Sequence, residues 1–193
     1  VAILLLVRDR SWLDGAAFAA AALVQTVVLQ VGQITGYARA LPVNTGLEAV
    51  ETALKLCRKW GYEKKGISEN NAKIIVCENN FHGRTIAIIS FSTDPDARIN
   101  YGPYCPGFKI IPYGDAEALE AAITPNTVAF MAEPIQGEAG IIVPPAGYLT
   151  KVREICTKHG ILLIFDEVIT GFGRMGTNFG SHYFGVTPDI ICF

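Results

Sequence analysis

Five large apolar residues, Ile161 to Phe165, run without interruption into Asp166-Glu167 and then Val168-Ile169-Thr170-Gly171. A run this short and this apolar reads as a strand buried on both faces, the kind found inside a parallel α/β sheet. Such sheets bind ligands just beyond the carboxyl ends of their strands, so Asp166 and Glu167 arrive where chemistry is done. Two acids closing a strand are equally compatible with a solvated turn, and the rest of the chain has to decide.

Other segments repeat the pattern. Ala72 to Cys77 is a second short strand, followed through Glu78-Asn79-Asn80 by Phe81-His82-Gly83-Arg84-Thr85. Here the phenyl ring can cover a flat ligand and the guanidinium can grip a carboxylate bidentately. A core phenylalanine and a surface-paired arginine would look the same. Thr127 to Ala132 is a third strand, ending in Glu133-Pro134-Ile135-Gln136-Gly137-Glu138. Phe108–Tyr113 and Pro188–Phe193 complete the strands. Leu47 to Trp60 carries apolar residues at 47, 50, 54 and 57, a helical spacing in which Glu51 can pair with Lys55. Asp115–Ile123 reads as a short helix capped by Asp115, and Tyr148–His159 as an amphipathic one that enters the opening strand through Gly160. Asp94 to Gly107, with three prolines and two glycines, reads as a long loop. Asn44-Thr45-Gly46 precedes the Leu47 helix, leaving backbone N–H groups around a glycine. That arrangement can seat a phosphate, although a plain N-cap has the same composition.

Strand and helix alternate without a long linker, which specifies one α/β domain over residues 36–193 with a largely parallel sheet and flanking helices. Its three polar strand ends and the Asn44–Gly46 turn are expected on one rim. Residues 1–35 are an atypical apolar leader of unclear role. Residues 15–38 carry no charge, but Gln25, Gln30 and Gln33 argue against a membrane span and no basic segment announces a signal peptide. A helix of the soluble fold, or a segment foreign to it, is expected there.

The 193 residues are half hydrophobic, enough for one substantial core, and a net charge of −2 leaves no basic footprint for nucleic acid. The five cysteines form no CxxC pair, which fits reduced thiols inside a cell better than a disulfide framework or a zinc site, and no metal site is expected. An apolar strand ending in Asp-Glu also suits a Walker B segment. That reading needs a G-x-x-x-x-G-K-[ST] loop upstream, which the sequence does not contain, and the G-x-S-x-G elbow of a nucleophilic hydrolase is absent as well.

Taken together and in order, LPVNTGLEAVETALKLCRKWGYEKKG, NNFHGRT, FMAEPIQGEAGIIVPPAGYL, IFDEVITGFGRMG and PDI resemble the class III pyridoxal-phosphate-dependent aminotransferases, most closely the ornithine type. The resemblance implies part of the large domain of a fold-type I transferase that binds pyridoxal 5'-phosphate. It implies that Thr45, Gly46 and Leu47 hold the cofactor phosphate, that Phe81 stacks on the pyridine ring with His82 beside it, and that Val168 packs under the opposite face. Asp166 would be the catalytic carboxylate facing the pyridine nitrogen. Arg84, Glu133 and Glu138 would bind substrate. Ile169 is a departure, because the family has a glutamine there that donates to the cofactor's phenolic oxygen. In the family's order the Schiff-base lysine and the small C-terminal domain follow the PDI strand, beyond Phe193. The implied activity is transfer of the δ-amino group of ornithine to 2-oxoglutarate by an intracellular homodimer, cytoplasmic or in the mitochondrial matrix, with this chain an incomplete large domain inactive by itself. Acetylornithine- or 4-aminobutyrate-type activity, or a non-catalytic remnant pairing with a full-length subunit, are the alternatives.

Overall fold

The computed structural model describes residues 15–193, which fall into two compact units dividing between Thr45 and Gly46. The first contains helix α1 (Gly15–Thr35). The second runs α2 (Gly46–Glu63), β1 (Lys73–Cys77), α3 (Ile86–Ile89), α4 (Pro95–Arg98), β2 (Phe108–Ile111), α5 (Ala116–Ala122), β3 (Thr127–Ala132), α6 (Tyr148–Lys158), β4 (Leu162–Asp166), α7 (Gly180–Phe184) and β5 (Ile190–Cys192). Among the described residues no helix is long and apolar enough to cross a membrane.

The five described strands are all parallel, in the order β2-β1-β3-β4-β5. Side chains alternate across each strand, and the sheet is covered on both faces, so continuous apolar runs are what its strands require. On one face Ile74, Val76, Met131 and Ile164 pack with Val50, Leu54 and Cys57 of α2. On the other, Ile75, Phe130, Leu163 and Phe165 pack with Leu119 of α5 and Leu149, Val152 and Cys156 of α6. Central β3 is buried at every position. Gly160 ends α6 with a left-handed φ of 56°, letting the Ile161 N–H return to the Cys156 carbonyl at 3.0 Å before β4 begins. Asp115 caps α5 as expected, accepting the Ala118 N–H at 2.8 Å.

The chain leaves β1 for β2 on one side, then crosses back to β3 on the other. Strand order therefore reverses between β1 and β3, and a crevice opens at their carboxyl ends, where ligands bind in such sheets. Three short helices depart from the sequence reading. One of them, α4, lies inside the stretch expected to be a loop, with Asp94 capping it through the Asp96 N–H at 2.9 Å.

Candidate active site

The loop leaving β1 is tied down by Asn80, whose buried amide donates to the Cys77 carbonyl at 2.6 Å and the Phe91 carbonyl at 3.1 Å. This presents Phe81 half-buried and His82 buried at the crevice. His82 Nδ1 lies 2.7 Å from Asp166 Oδ2 at the end of β4, and the two side chains are only 0% and 7% exposed. The other carboxylate oxygen, Oδ1, accepts the Val168 N–H at 3.1 Å. Asp166 is thus oriented from two sides, and each of its oxygens retains acceptor capacity. Nε2 of His82 is buried with no hydrogen-bond partner among the described residues.

The start of α2 reaches the same rim. A Cβ built on Gly46 would lie 2.5 Å from Val168 Cγ2, so only glycine lets the helix terminus lie against that valine. A Cβ on Gly83, where φ is 121°, would collide with Leu47. Gly46, Leu47, Phe81–Arg84, Asp166 and Val168 are therefore brought together. Thr45 lies in the first unit, directly before α2 in the chain. Val168 is 52% exposed, an apolar surface beside a buried carboxylate. Ile169 is half-buried and lies against Gly137.

After β3, Glu133 turns inward. Its Oε1 accepts the Phe81 N–H at 3.0 Å and its Oε2 the Gly137 N–H at 3.2 Å. Burial raises its pKa, against the opposing pull of nearby His82 and the two N–H donors, while Asp166 adds to the rise. Tyr113 Oη donates to the carbonyls of Glu133 and Pro134 at 3.1 and 3.0 Å, and Gln136 Nε2 donates to the Glu78 carbonyl at 2.7 Å. Glu138 is exposed and, with Arg84, lines a cleft of about 750 Å³ that also takes in Phe81 and His82. The Arg84 guanidinium lies 5.2 Å from the Phe81 ring centroid, a cation–π distance.

Glu167 departs from the expectation that both acids of the opening stretch serve the rim. It is fully buried and accepts the Thr170 hydroxyl at 2.8 Å, the Ser181 N–H at 2.8 Å and the Gly180 N–H. It anchors α7. The pairing of His82 with Asp166 and the inward turn of Glu133 were not foreseen, because each joins segments far apart in the chain and leaves no local pattern.

Residues 9–193 match the family Aminotransferase class-III. The chain is 56% identical over 160 residues to the ornithine aminotransferase of Bordetella pertussis, an alignment covering 83% of this chain and 39% of that protein. The ornithine aminotransferase of Toxoplasma gondii, in a crystal structure with PLP at partial occupancy in its active site, superposes with a TM-score of 0.85 at 46% identity over 86% of this chain and 39% of that one. Acetylornithine aminotransferase from Elizabethkingia anophelis gives a TM-score of 0.71 at 43% identity over 87% of this chain and 38% of that one. The chain thus spans about two fifths of the length of the relatives it matches.

Proposed function

Because this chain belongs to the class-III aminotransferases, we propose that its rim is the cofactor-holding part of a pyridoxal 5'-phosphate site and that the whole protein moves the δ-amino group of ornithine to 2-oxoglutarate. The observation that carries this reading is Asp166, a buried carboxylate oriented at the carboxyl end of β4 by His82 and the Val168 N–H, beside a half-exposed valine and next, through His82, to the aromatic ring of Phe81. That set of groups fits a flat, cationic heteroaromatic ring: an acceptor for a ring N–H and an apolar contact for each face. The glycine start of α2 supplies N–H donors suited to a phosphate.

In this reading Thr45, Gly46 and Leu47 hold the phosphate, Phe81 and Val168 flank the ring, and Asp166 faces its nitrogen. The bound cofactor supplies an electron sink for the carbanion formed when a substrate C–H proton leaves. Asp166 keeps a proton on the ring nitrogen, since a nearby negative charge favours the protonated form. His82 orients Asp166 and excludes water from its far side. Arg84 takes a substrate carboxylate in a bidentate grip, and Glu138 attracts a substrate ammonium across the cleft. Residues 36–193 are then part of the cofactor-binding large domain of an intracellular homodimer. The likeness to acetylornithine aminotransferase favours N-acetylornithine as the second candidate donor.

The test is titration of the purified chain with pyridoxal 5'-phosphate by calorimetry. Asp166→Ala removes a charge-assisted hydrogen bond worth about 1.5–3 kcal/mol, so affinity should fall about tenfold or more. Equal affinity in both proteins, or no binding by either, refutes the site. Turnover by the whole protein should be fastest with ornithine when N-acetylornithine and 4-aminobutyrate are compared beside it.

A further inference from the structure

Family resemblance puts Glu133 among the substrate-binding residues, yet its geometry points elsewhere. The side chain is buried, and both of its oxygens already accept backbone N–H groups from two different loops. One donor is Phe81, which lines the cleft, and the other is Gly137, which directly precedes Glu138, another residue of the same lining. Among the described residues no other acceptor takes either N–H. The backbone of Glu133 is itself fixed, because it continues the fully buried strand β3 and its carbonyl accepts the Tyr113 hydroxyl. A substrate ammonium would have to displace these bonds in a site that burial makes costly for any unpaired group.

We propose that Glu133 is a positioning residue: its carboxylate clamps the Phe81 loop and the Gly137–Glu138 loop to one anchor, fixing these two parts of the cleft lining relative to each other. The clamp sits where strand order reverses between β1 and β3, so the two loops it joins are those that frame the crevice. That Phe81 thereby faces a cofactor ring rests on the function proposed above; the clamp itself does not.

Amide hydrogen exchange, followed residue by residue in the whole chain without added ligand, tests the clamp. In the wild-type protein the Phe81 and Gly137 N–H groups should be protected, although both lie outside helices and strands. Glu133→Gln turns one acceptor into a donor, so protection of at least one of the two should fall by about tenfold or more. The Val168 and Ser181 N–H groups, held by Asp166 and Glu167, should keep theirs. Unprotected Phe81 or Gly137 in the wild type, or unchanged protection of both in the variant, overturns the proposal. Should Glu133→Gln unfold, the wild-type measurement still decides, and Glu133→Asp, which keeps the charge but shortens its reach, replaces it. Pyridoxal 5'-phosphate titration is the second readout. The variant should bind it several-fold more weakly than wild type, and equal affinity with local protection lost would overturn the positioning role. If the wild type binds none, the proposed function falls while the exchange result still judges the clamp.

Discussion

Both oxygens of Glu167 are occupied inside the protein, by the Thr170 hydroxyl, the Ser181 N–H and the Gly180 N–H. Gly180 has no alternative there, since a Cβ would lie 2.9 Å from Glu167 Oε2 and 3.1 Å from Pro134 Cβ. Truncating Glu167 leaves these donors buried without an acceptor, at about 1–3 kcal/mol each. Glu167→Ala should therefore lower Tm by roughly 6–12 °C, taking about 3 kcal/mol and 2–4 °C per kcal/mol for a chain of this size. The isosteric Glu167→Gln should lose less. Calorimetric scans of both variants check this, and a Glu167→Ala midpoint equal to wild type would mean that α7 is held by something else. Asp166, one residue earlier, has one oxygen on His82 and one on the Val168 N–H. The sequence pattern Ile-Phe-Asp-Glu locates a strand end carrying two acids. It does not say which acid faces the rim, because strand alternation stops where the turn begins.

Long elements were legible for a physical reason. Helix α2 and strands β3 and β4 bury an entire stripe or both faces, and burial on that scale writes its period into the sequence. Helices α3, α4 and α7 have four or five residues, about one turn, too few to display a period. The signals of α3 and α4 are single caps, Thr85 and Asp94, and α7 has no side-chain cap. Glu51, spaced to pair with Lys55, instead accepts the Thr85 hydroxyl, a partner no helical spacing encodes. Lys65 is another such link. Its ammonium donates to the Thr127 carbonyl at 2.7 Å and lies 3.5 Å from the His159 carbonyl, tying the segment after α2 to the start of β3 and the end of α6. Lys65→Met keeps most of the apolar stem and removes these bonds, which should cost about 1.5 kcal/mol, or roughly 3–6 °C in Tm. Burial lowers the Lys65 pKa below the ordinary 10.5. Just below that value the unfolded chain therefore binds more protons than the folded one, and the contribution of Lys65 to stability rises with pH. The Tm gap between wild type and Lys65→Met should widen as pH approaches 10.5 from below. A gap that is flat or narrowing with pH would show that Lys65 is not desolvated in the folded protein.

At the scale of the molecule, the sequence reads as an α/β fold that follows an atypical apolar leader, and the structure divides the chain between Thr45 and Gly46. The two described hydrophobic cores lie one on each face of the sheet, and every residue in them falls at or after Leu47. Among the described residues neither core includes one before Leu47, and removing residues 1–45 should leave both intact. The cost should come from the new terminus. A charged α-amino group at Gly46 would oppose the positive end of the α2 dipole, by about 0.3–1 kcal/mol. N-terminal acetylation removes that charge. The acetylated 46–193 chain should unfold in one cooperative transition within a few degrees of the full chain, with the β3 amides its most protected. The unacetylated form should melt slightly lower, and the difference should shrink in high salt. Scanning calorimetry and amide exchange measure both. A broad, non-cooperative melt of the acetylated 46–193 chain, or unprotected β3 amides, would show that the sheet depends on residues before Gly46 for more than chain continuity.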